Sequence, residues 1–432
     1  MEALRVPDGN HSTALSHTSL RDKSFLKIGL TNPLFPEITT MKKALLLGFL
    51  SGSLATVAHA QSSVTLYGLI DAGITYSSNV KGHSNWQETS GAVNSSRWGF
   101  RGAEDLGGGL RAIFTLENGF STNNGTLGQG GREFGRQSLV GLGSDRFGTV
   151  TLGRQYDIMV DYIEPLGLAG QQYGGTYVAH PFDNDNLDNS FRLNNSVKYQ
   201  SPSYAGFQFA ALYAFSNTAG QFTNNRAYSA GVTYTHRDLT VAVAYLQLNN
   251  NLSGITSAAA LSSVNSAGAV SGDNTLLAGR QQTWGAGANY AIGPAVIGLV
   301  YSQTNLTQGF SVNPTAAGQA ISFGGNSVHF QNLELNGHYS LTKTISFASS
   351  YTYTQANFGS GSQPKWGQFN LQAAYYLSKR MTVYLQGEYQ HVMNREGLNG
   401  QTIGAMINNT SSGGASATGN QVAVTAGMRL RF

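Results

Sequence analysis

The feature that most constrains the fold is an alternation of apolar and polar residues with a period of two, repeated along most of the chain. In the stretch SSVTLYGLIDAGITY, one face is apolar or small: Val64, Leu66, Gly68, Ile70, Ala72, Ile74 and Tyr76. The other face is more polar: Thr65, Tyr67, Asp71, Gly73 and Thr75. Because successive side chains of a β-strand point to opposite sides, the pattern predicts strands with one apolar and one polar face.

Sixteen segments of this kind occur, and short turns alternate with long loops between them. They lie near residues 64–76, 95–103, 109–117, 134–143, 147–155, 192–200, 206–215, 227–236, 239–248, 282–291, 295–304, 329–339, 344–354, 367–376, 381–391 and 420–432. A closed barrel leaves no unpaired edge, so its apolar face can meet lipid while its polar face lines a wet lumen. The sequence therefore predicts an all-β fold, a transmembrane antiparallel β-barrel of sixteen strands with short periplasmic turns and long external loops. The alternative, a soluble β-sandwich, rarely needs sixteen strands with one rhythm of connections.

The N-terminal region predicts a targeting signal. Met41-Lys42-Lys43 precedes an apolar run over 44–57, and Ala58-His59-Ala60 follows it as a cleavage site. Residues 41–60 are therefore expected to be a signal peptide, residues 1–40 a mis-assigned upstream extension, and residues 61–432 the barrel. Residues 1–60 hold six Lys/Arg and four Asp/Glu, which leaves 20 basic and 18 acidic residues in the mature chain. Without a basic block, no nucleic-acid partner is expected.

One connection, Tyr156–Phe191, is too long for an ordinary hairpin loop. It contains no Lys or Arg and six acids: Asp157, Asp161, Glu164, Asp183, Asp185 and Asp188. It is the third long connection of the barrel, and we expect it to fold into the lumen as a constriction. The first three acids, nearest the start of the loop, are expected to reach the gap.

Strand alternation places basic residues on the wall opposite this loop. If Trp98 and Phe100 face outward, Arg97 and Arg101 face the lumen, and similar parity turns Arg192 and Lys198 inward. Arg136 points inward if Leu139 points out. Wall cations opposite loop acids would create a transverse field in a narrow aqueous gap. The wall favours anions weakly, whereas the six loop acids favour cations.

The sequence shows few motifs for metal binding or catalysis. The run DNDNLD over 183–188 lacks the glycine and closing glutamate of an EF-hand, and no H-E-x-x-H spacing occurs, so neither a metal nor a cofactor is expected. The absence of cysteine excludes disulfides, thiolate metal sites and cysteine nucleophiles. An outer-membrane hydrolase barrel would need Ser, His and a third polar group on one outer face, and no such constellation is visible. A substrate-specific channel remains an alternative, with tyrosines lining its path: Tyr156, Tyr162, Tyr173 and Tyr177.

Several motifs point to a known family. The segments VTLYGLIDAG, SRWGFRGAEDLGGGLRAIFTLENGF, RQSLVGLGSDRFGTVTLGRQYD and NSVKYQSPSYAGF resemble the general diffusion porins of betaproteobacteria. The resemblance covers 61–432 and implies a sixteen-stranded homotrimer whose third loop folds into the pore. The residues that match the basic cluster of the family are Arg97, Arg136 and Arg192. The acidic loop motif Pro-Glu-aromatic-Gly-Gly of enteric relatives is absent.

The same resemblance implies partners and a function. The last strand ends in Phe432, which resembles the signal read by the outer-membrane assembly machinery. The expected surroundings are outer-membrane lipid and lipopolysaccharide. The expected function is passive diffusion of small hydrophilic solutes and ions across the outer membrane, and not catalysis.

Overall fold

The computed structural model describes residues 63–220, 222–250, 268–270, 274–312, 321–407 and 413–432. The predicted extension and signal peptide lie outside the described residues. Among those residues, no helix has the length and apolar character needed to cross a membrane.

The described chain is dominated by antiparallel strands. They are β1 (Ser63–Val80), β2 (His83–Ser90), β3 (Arg97–Gly107), β4 (Leu110–Gly119), β5 (Gln137–Ser144), β6 (Gly148–Gln155), β7 (Leu193–Gln200), β8 (Phe207–Ala214), β9 (Arg226–His236), β10 (Leu239–Asn249), β11 (Leu276–Ile292), β12 (Ala295–Val312), β13 (Ile321–Ser322), β14 (Val328–Ser340), β15 (Ile345–Asn357), β16 (Lys365–Tyr376), β17 (Met381–Met393) and β18 (Asn420–Arg431). One short helix, α1 (Ile158–Tyr162), and four 3₁₀ turns (Glu164–Leu166, Gly175–Val178, Pro181–Asp183 and Leu398–Gly400) complete the described elements.

Strand pairing closes the sheet into a barrel. The first strand pairs with the last, from Leu69 opposite Arg431 to Ser77 opposite Ala423. One half of β1 pairs with β2 and the other half with β3, so β2 and β3 together occupy a single position in the barrel. The two-residue β13 only extends the end of β12. The barrel therefore has sixteen strand positions, which confirms the predicted fold.

The predicted faces are also confirmed. Val64, Leu66 and Ile74 on β1 are exposed on the outside, whereas Asp71 and Thr75 on the other face are buried. Large apolar side chains are exposed on the outward face all around the barrel, in a quantity that a protein surrounded by water rarely shows. Such an outward band is suited to the hydrocarbon core of a bilayer.

The strands extend further than the alternation predicts. The expected loop 77–94 is largely a hairpin, because β1 continues to Val80 and β2 occupies His83–Ser90. Similarly, β12 continues to Val312, eight residues past the predicted end. Beyond the membrane both faces of a strand meet water or loops, so backbone pairing continues where the apolar and polar contrast has ended.

Candidate pore constriction

The loop 156–191 lies inside the barrel and begins with a capped helix. The Asp157 carboxylate accepts hydrogen bonds from the backbone N–H groups of Met159 at 2.8 Å and Val160 at 3.4 Å, which satisfies free donors at the helix start. Asn186 Nδ2 donates to the other oxygen of Asp157 at 2.8 Å. The structure thus places Asp157 in a buried structural position, where it joins the two ends of the loop.

The apolar side of the loop packs against an apolar section of the inner wall. The loop contributes Ile158, Met159, Tyr162, Ile163, Leu166, Leu187 and Phe191. The wall contributes small and aliphatic residues: Leu193, Ala210, Leu212, Ala214, Ala227, Ala242, Ala244, Leu246, Leu248 and Val300. At Gly285 a Cβ atom would lie 2.8 Å from Met159 Cε, so this glycine on β11 makes room for the helix. Burial of apolar surface therefore holds the start and the end of the loop to strands β7–β12.

Polar contacts hold the middle of the loop to the other side of the barrel. Tyr177 Oη lies 2.8 Å from Thr75 Oγ1 and 2.6 Å from Thr425 Oγ1, one on each strand of the barrel closure. Gln368 Nε2 donates to the Ala179 carbonyl at 3.0 Å. Gly175 has a positive φ of 62°, and a Cβ atom there would overlap the Val93 carbonyl, so only glycine fits.

A buried histidine joins the loop to β14. His180 Nδ1 lies 2.6 Å from Asp185 Oδ2, and its Nε2 lies 3.1 Å from Glu334 Oε2. The other Glu334 oxygen accepts from the Leu168 backbone N–H at 2.7 Å. Burial alone lowers the pKa of His180, but the two carboxylates reverse this effect and raise it to about 10. The imidazole is therefore protonated at neutral pH and lies between two acids; these three side chains are called the His180 cluster below.

The remaining loop acids fall into two groups. Asp183 and Asp185 are buried. The Asp183 carboxylate accepts hydrogen bonds from the backbone N–H groups of Asp188 and Ser190, both at 2.9 Å. Asp161, Glu164 and Asp188 keep part of their surface accessible. Of the three acids expected to reach the gap, the structure leaves two accessible and buries Asp157.

Burial also changes the ionisation of these acids. It raises the pKa of Asp157 to about 6. Burial raises the pKa of Glu164, and Asn189, which donates to Glu164 Oε1 at 2.8 Å, offsets part of that change. Burial and the nearby Asp183 and Glu164 raise the pKa of Asp188. At neutral pH the loop therefore carries less negative charge than six carboxylates of ordinary pKa would.

Basic residues of the wall converge on Tyr156, the first residue of the loop. Arg136 donates to Tyr156 Oη at 2.8 Å and to Glu117 Oε1 at 2.6 Å. The Arg192 guanidinium lies 5.0 Å from the centre of the Tyr156 ring, and Arg192 also donates to Asn189 Oδ1 at 2.6 Å. These contacts bring the start and end of the loop to the same patch of wall.

The three other predicted cations have different surroundings. Lys198 Nζ pairs with Asp161 Oδ2 at 2.6 Å and donates to the Tyr156 carbonyl at 3.0 Å. Arg101 lies over the Tyr67 ring, 5.3 Å from its centre, and is exposed nearer the short turns. Arg97 donates to the Ser95 carbonyl at 3.0 Å and is partly accessible.

Some important residues of the site carry no distinguishing sequence pattern. Glu117 neutralises Arg136 and also accepts from Tyr67 Oη at 2.9 Å; alternation on its strand gives its inward direction but not its partner. His180 had no signal: Asp185 lies five residues further along the same loop, but Glu334 comes from the distant strand β14. The tyrosines expected to line a specific path mostly do not: Tyr162, Tyr173 and Tyr177 are buried.

The described residues contain no group of three or more acidic or histidine side chains arranged to hold a metal ion. Within the run 183–188, the Asp183 carboxylate accepts hydrogen bonds from backbone N–H groups. The Asp185 carboxylate is bonded to His180, Ser302 and Asn332. These carboxylates stabilise the loop instead.

A closed sixteen-stranded barrel with an outward apolar band and an inserted loop defines an outer-membrane β-barrel protein. The family model described as Gram-negative porin matches residues 44–397, and the chain belongs to that family. An outer membrane porin protein of Bordetella pertussis is 34% identical over 390 residues, covering 81% of this chain and 94% of the relative. Outer membrane porin protein 32 of Delftia acidovorans is 29% identical over 407 residues, covering 91% and 100%.

Solved structures agree with the fold. The anion-selective porin from Comamonas acidovorans superposes with a TM-score of 0.64 at 24% identity, covering 86% of this chain and all of that one. The predicted resemblance to betaproteobacterial porins and the location in the outer membrane are confirmed.

Proposed function

We propose that this porin is a passive diffusion channel for small hydrophilic solutes and ions, with a weak preference for anions. Its constriction lies between the accessible side of the loop 156–191 and the wall cluster of Arg97, Arg136 and Arg192, of which Arg97 is partly accessible and the other two are buried. The solute is not bound tightly, because conduction requires that it leave as easily as it enters.

The observation that carries the anion preference is the charge balance around Tyr156. Three guanidinium groups lie on this part of the wall. Among the described contacts, the ion pair of Arg136 with Glu117 balances one of these three charges. The Nε of Arg192 is buried without a hydrogen-bond partner. Since water is confined between low-dielectric walls here, an unbalanced positive charge acts strongly on passing ions.

The loop does not cancel this charge. Asp157 and Asp183 accept hydrogen bonds within the loop, Asp185 is paired with His180, and Asp161 is paired with Lys198. Burial raises the pKa of Glu164, so part of its population is protonated at neutral pH. The wall cluster therefore exceeds the loop in effective charge.

The resemblance also leads us to infer a homotrimer and assembly through the C-terminal strand. Phe432 completes the barrel closure: its N–H donates to the Gly68 carbonyl at 3.1 Å, and its carbonyl accepts from Gly68 N–H at 3.0 Å. A Cβ atom at position 68 would overlap the Phe432 ring, so the ring lies directly over this glycine.

Reversal potentials in a salt gradient across a planar bilayer test the proposed selectivity. We expect a preference for chloride over potassium, and Arg97→Gln with Arg136→Gln should shift it toward cations. Arg146→Gln, in the exposed short turn between β5 and β6, is the matched control and should leave the potential unchanged. A reversal potential that does not move when the two wall arginines are neutralised would refute their role in selectivity.

A further inference from the structure

A strip of polar residues crosses the outward face of β12, β14, β15 and β16. One row is Gln303, Gln331, Gln355 and Lys365, which lie directly opposite one another on adjacent strands. A second row, two residues closer to the long loops, is Asn305, His329 and Asn357. These seven residues are called the amide strip. They have the same parity along their strands as the exposed Leu299, Leu335, Tyr351 and Phe369, so they face away from the lumen.

The position of the amide strip relative to the apolar band defines its depth. Two residues toward the short turns, the outward row is Tyr301, Leu333 and Tyr353. Two residues of a strand span about 7 Å, so the amides lie immediately outside the aromatic and aliphatic band. Tyrosines of porin-like barrels mark the membrane interface, and amides placed within hydrocarbon would be costly. The strip is thus at the depth of lipid headgroups in the leaflet on the side of the long loops.

The amides are oriented by bonds to one another. Gln355 Nε2 donates to Gln331 Oε1 at 2.6 Å, and Gln331 Nε2 donates to Tyr301 Oη at 3.0 Å. Gln303 Nε2 donates to Asn305 Oδ1 at 3.0 Å, and His329 Nδ1 lies 2.7 Å from the same oxygen. A side-chain amide has two N–H donors and a carbonyl with two lone pairs. The network therefore leaves donors and acceptors in fixed positions for a bound group.

A groove of about 320 Å³ runs beside these amides, and its lining includes Gln363 and Lys365. In the part of the chain that the structure describes, Lys365 has no ion pair with an acid. The groove thus combines one cation with a row of groups that both donate and accept hydrogen bonds.

We propose that the amide strip binds the phosphorylated sugar headgroup of a glycolipid in the outer leaflet. Sugar hydroxyls donate and accept hydrogen bonds, as side-chain amides do, and Lys365 supplies a positive charge for a phosphate. A phospholipid with an ethanolamine headgroup offers few hydroxyls to a row of amides. The inference depends on the outer-membrane location of the protein and not on the selectivity of its channel.

Lipid retention by the purified protein tests the proposal. The protein is placed in nanodiscs of phosphatidylethanolamine mixed with rough lipopolysaccharide, which lacks long sugar chains, and retained lipids are counted by native mass spectrometry. We expect Lys365→Glu and the double variant Gln331→Leu with Gln355→Leu each to weaken lipopolysaccharide retention by about fivefold, the scale of an exposed ion pair or a few hydrogen bonds. Lys379→Glu, in the exposed turn at the other end of β16, is the control and should retain the wild-type amount.

Removing the phosphates from the lipopolysaccharide separates the contribution of Lys365, which binds phosphate, from that of the amides, which bind sugar hydroxyls. Lys365→Glu should then have no effect, while the glutamine double variant should still weaken retention. Equal losses for Lys379→Glu and Lys365→Glu, unchanged retention in both strip variants, or a matching loss of phosphatidylethanolamine would overturn the proposal. Circular dichroism of each variant establishes that the barrel has formed before retention is compared.

Discussion

Replacing His180 by Gln should loosen the constriction loop without unfolding the barrel. The His180 cluster is buried, and its histidine contacts one carboxylate of the loop and one of the wall. Removing one member of a buried ion pair costs about 3–5 kcal/mol, since the other charge is left uncompensated. Gln can still donate to one carboxylate, so the lower end, about 3 kcal/mol, is expected. This corresponds to a change of about a hundredfold in the ratio of attached to released loop.

Hydrogen exchange followed by mass spectrometry measures that ratio directly. The Leu168 N–H is bonded to Glu334, so its exchange rate reports how often this part of the loop leaves the wall. We expect peptides covering 166–180 to exchange about a hundredfold faster in His180→Gln, and single-channel current to become noisier. Strand peptides should exchange as in the wild type. His236→Gln, exposed at the end of β9, is the control.

A double variant distinguishes loss of this charge arrangement from loss of packing. If the cost arises from an uncompensated Glu334, His180→Gln with Glu334→Gln should exchange more slowly in the loop than His180→Gln alone. Loop exchange unchanged in His180→Gln, or a double variant at least as loose as the single one, would refute the reasoning.

The remaining predictions concern pH and packing. The raised pKa of His180 means that its stabilisation is present at low and neutral pH and is lost as the pH rises through about 10, which loop exchange measured from pH 7 to 11 should show. Because burial raises the pKa of Glu164, its charge develops late, so anion preference measured by reversal potential should weaken as the pH rises from about 6 to about 9; Glu164→Gln should abolish this dependence, and an identical dependence in the variant would contradict the assignment. Gly285→Leu would place a side chain against Met159 and should displace α1, with overpacking costing about 1–3 kcal/mol; exchange of peptides covering 156–166 would increase, whereas Gly387→Leu, in open space on the outward side of β17, would leave it unchanged.

The barrel itself was largely predictable because lipid on one side and water on the other impose the same period on every strand. Where that contrast ends, the prediction ends too, as in β2 and the last residues of β12. Arg97, Arg136 and Lys198 were directed inward by parity alone. The pairs of Arg136 with Glu117 and of Lys198 with Asp161 were not predictable, since each joins two different segments of the chain.

The attachment of the loop had a sequence signal that simple alternation obscures. In β8 and β10 the inward residues are apolar as well as the outward ones, and the inward set includes Ala210, Leu212, Ala244 and Leu246. A wet lumen gives no reason for a strand to be apolar on both faces, so the departure from alternation marks the section of wall that a loop covers. The six acids divide in the same way. Acids on the side that packs, such as Asp157 and Asp185, must find donors within the protein, because an unpaired buried carboxylate is costly. Of the six acids, only Asp161, Glu164 and Asp188 keep part of their surface accessible, and Asp161 is paired with Lys198. The charge that the loop of such a porin presents to the lumen therefore depends on which side of the loop packs against the wall, more than on the number of acids in the loop.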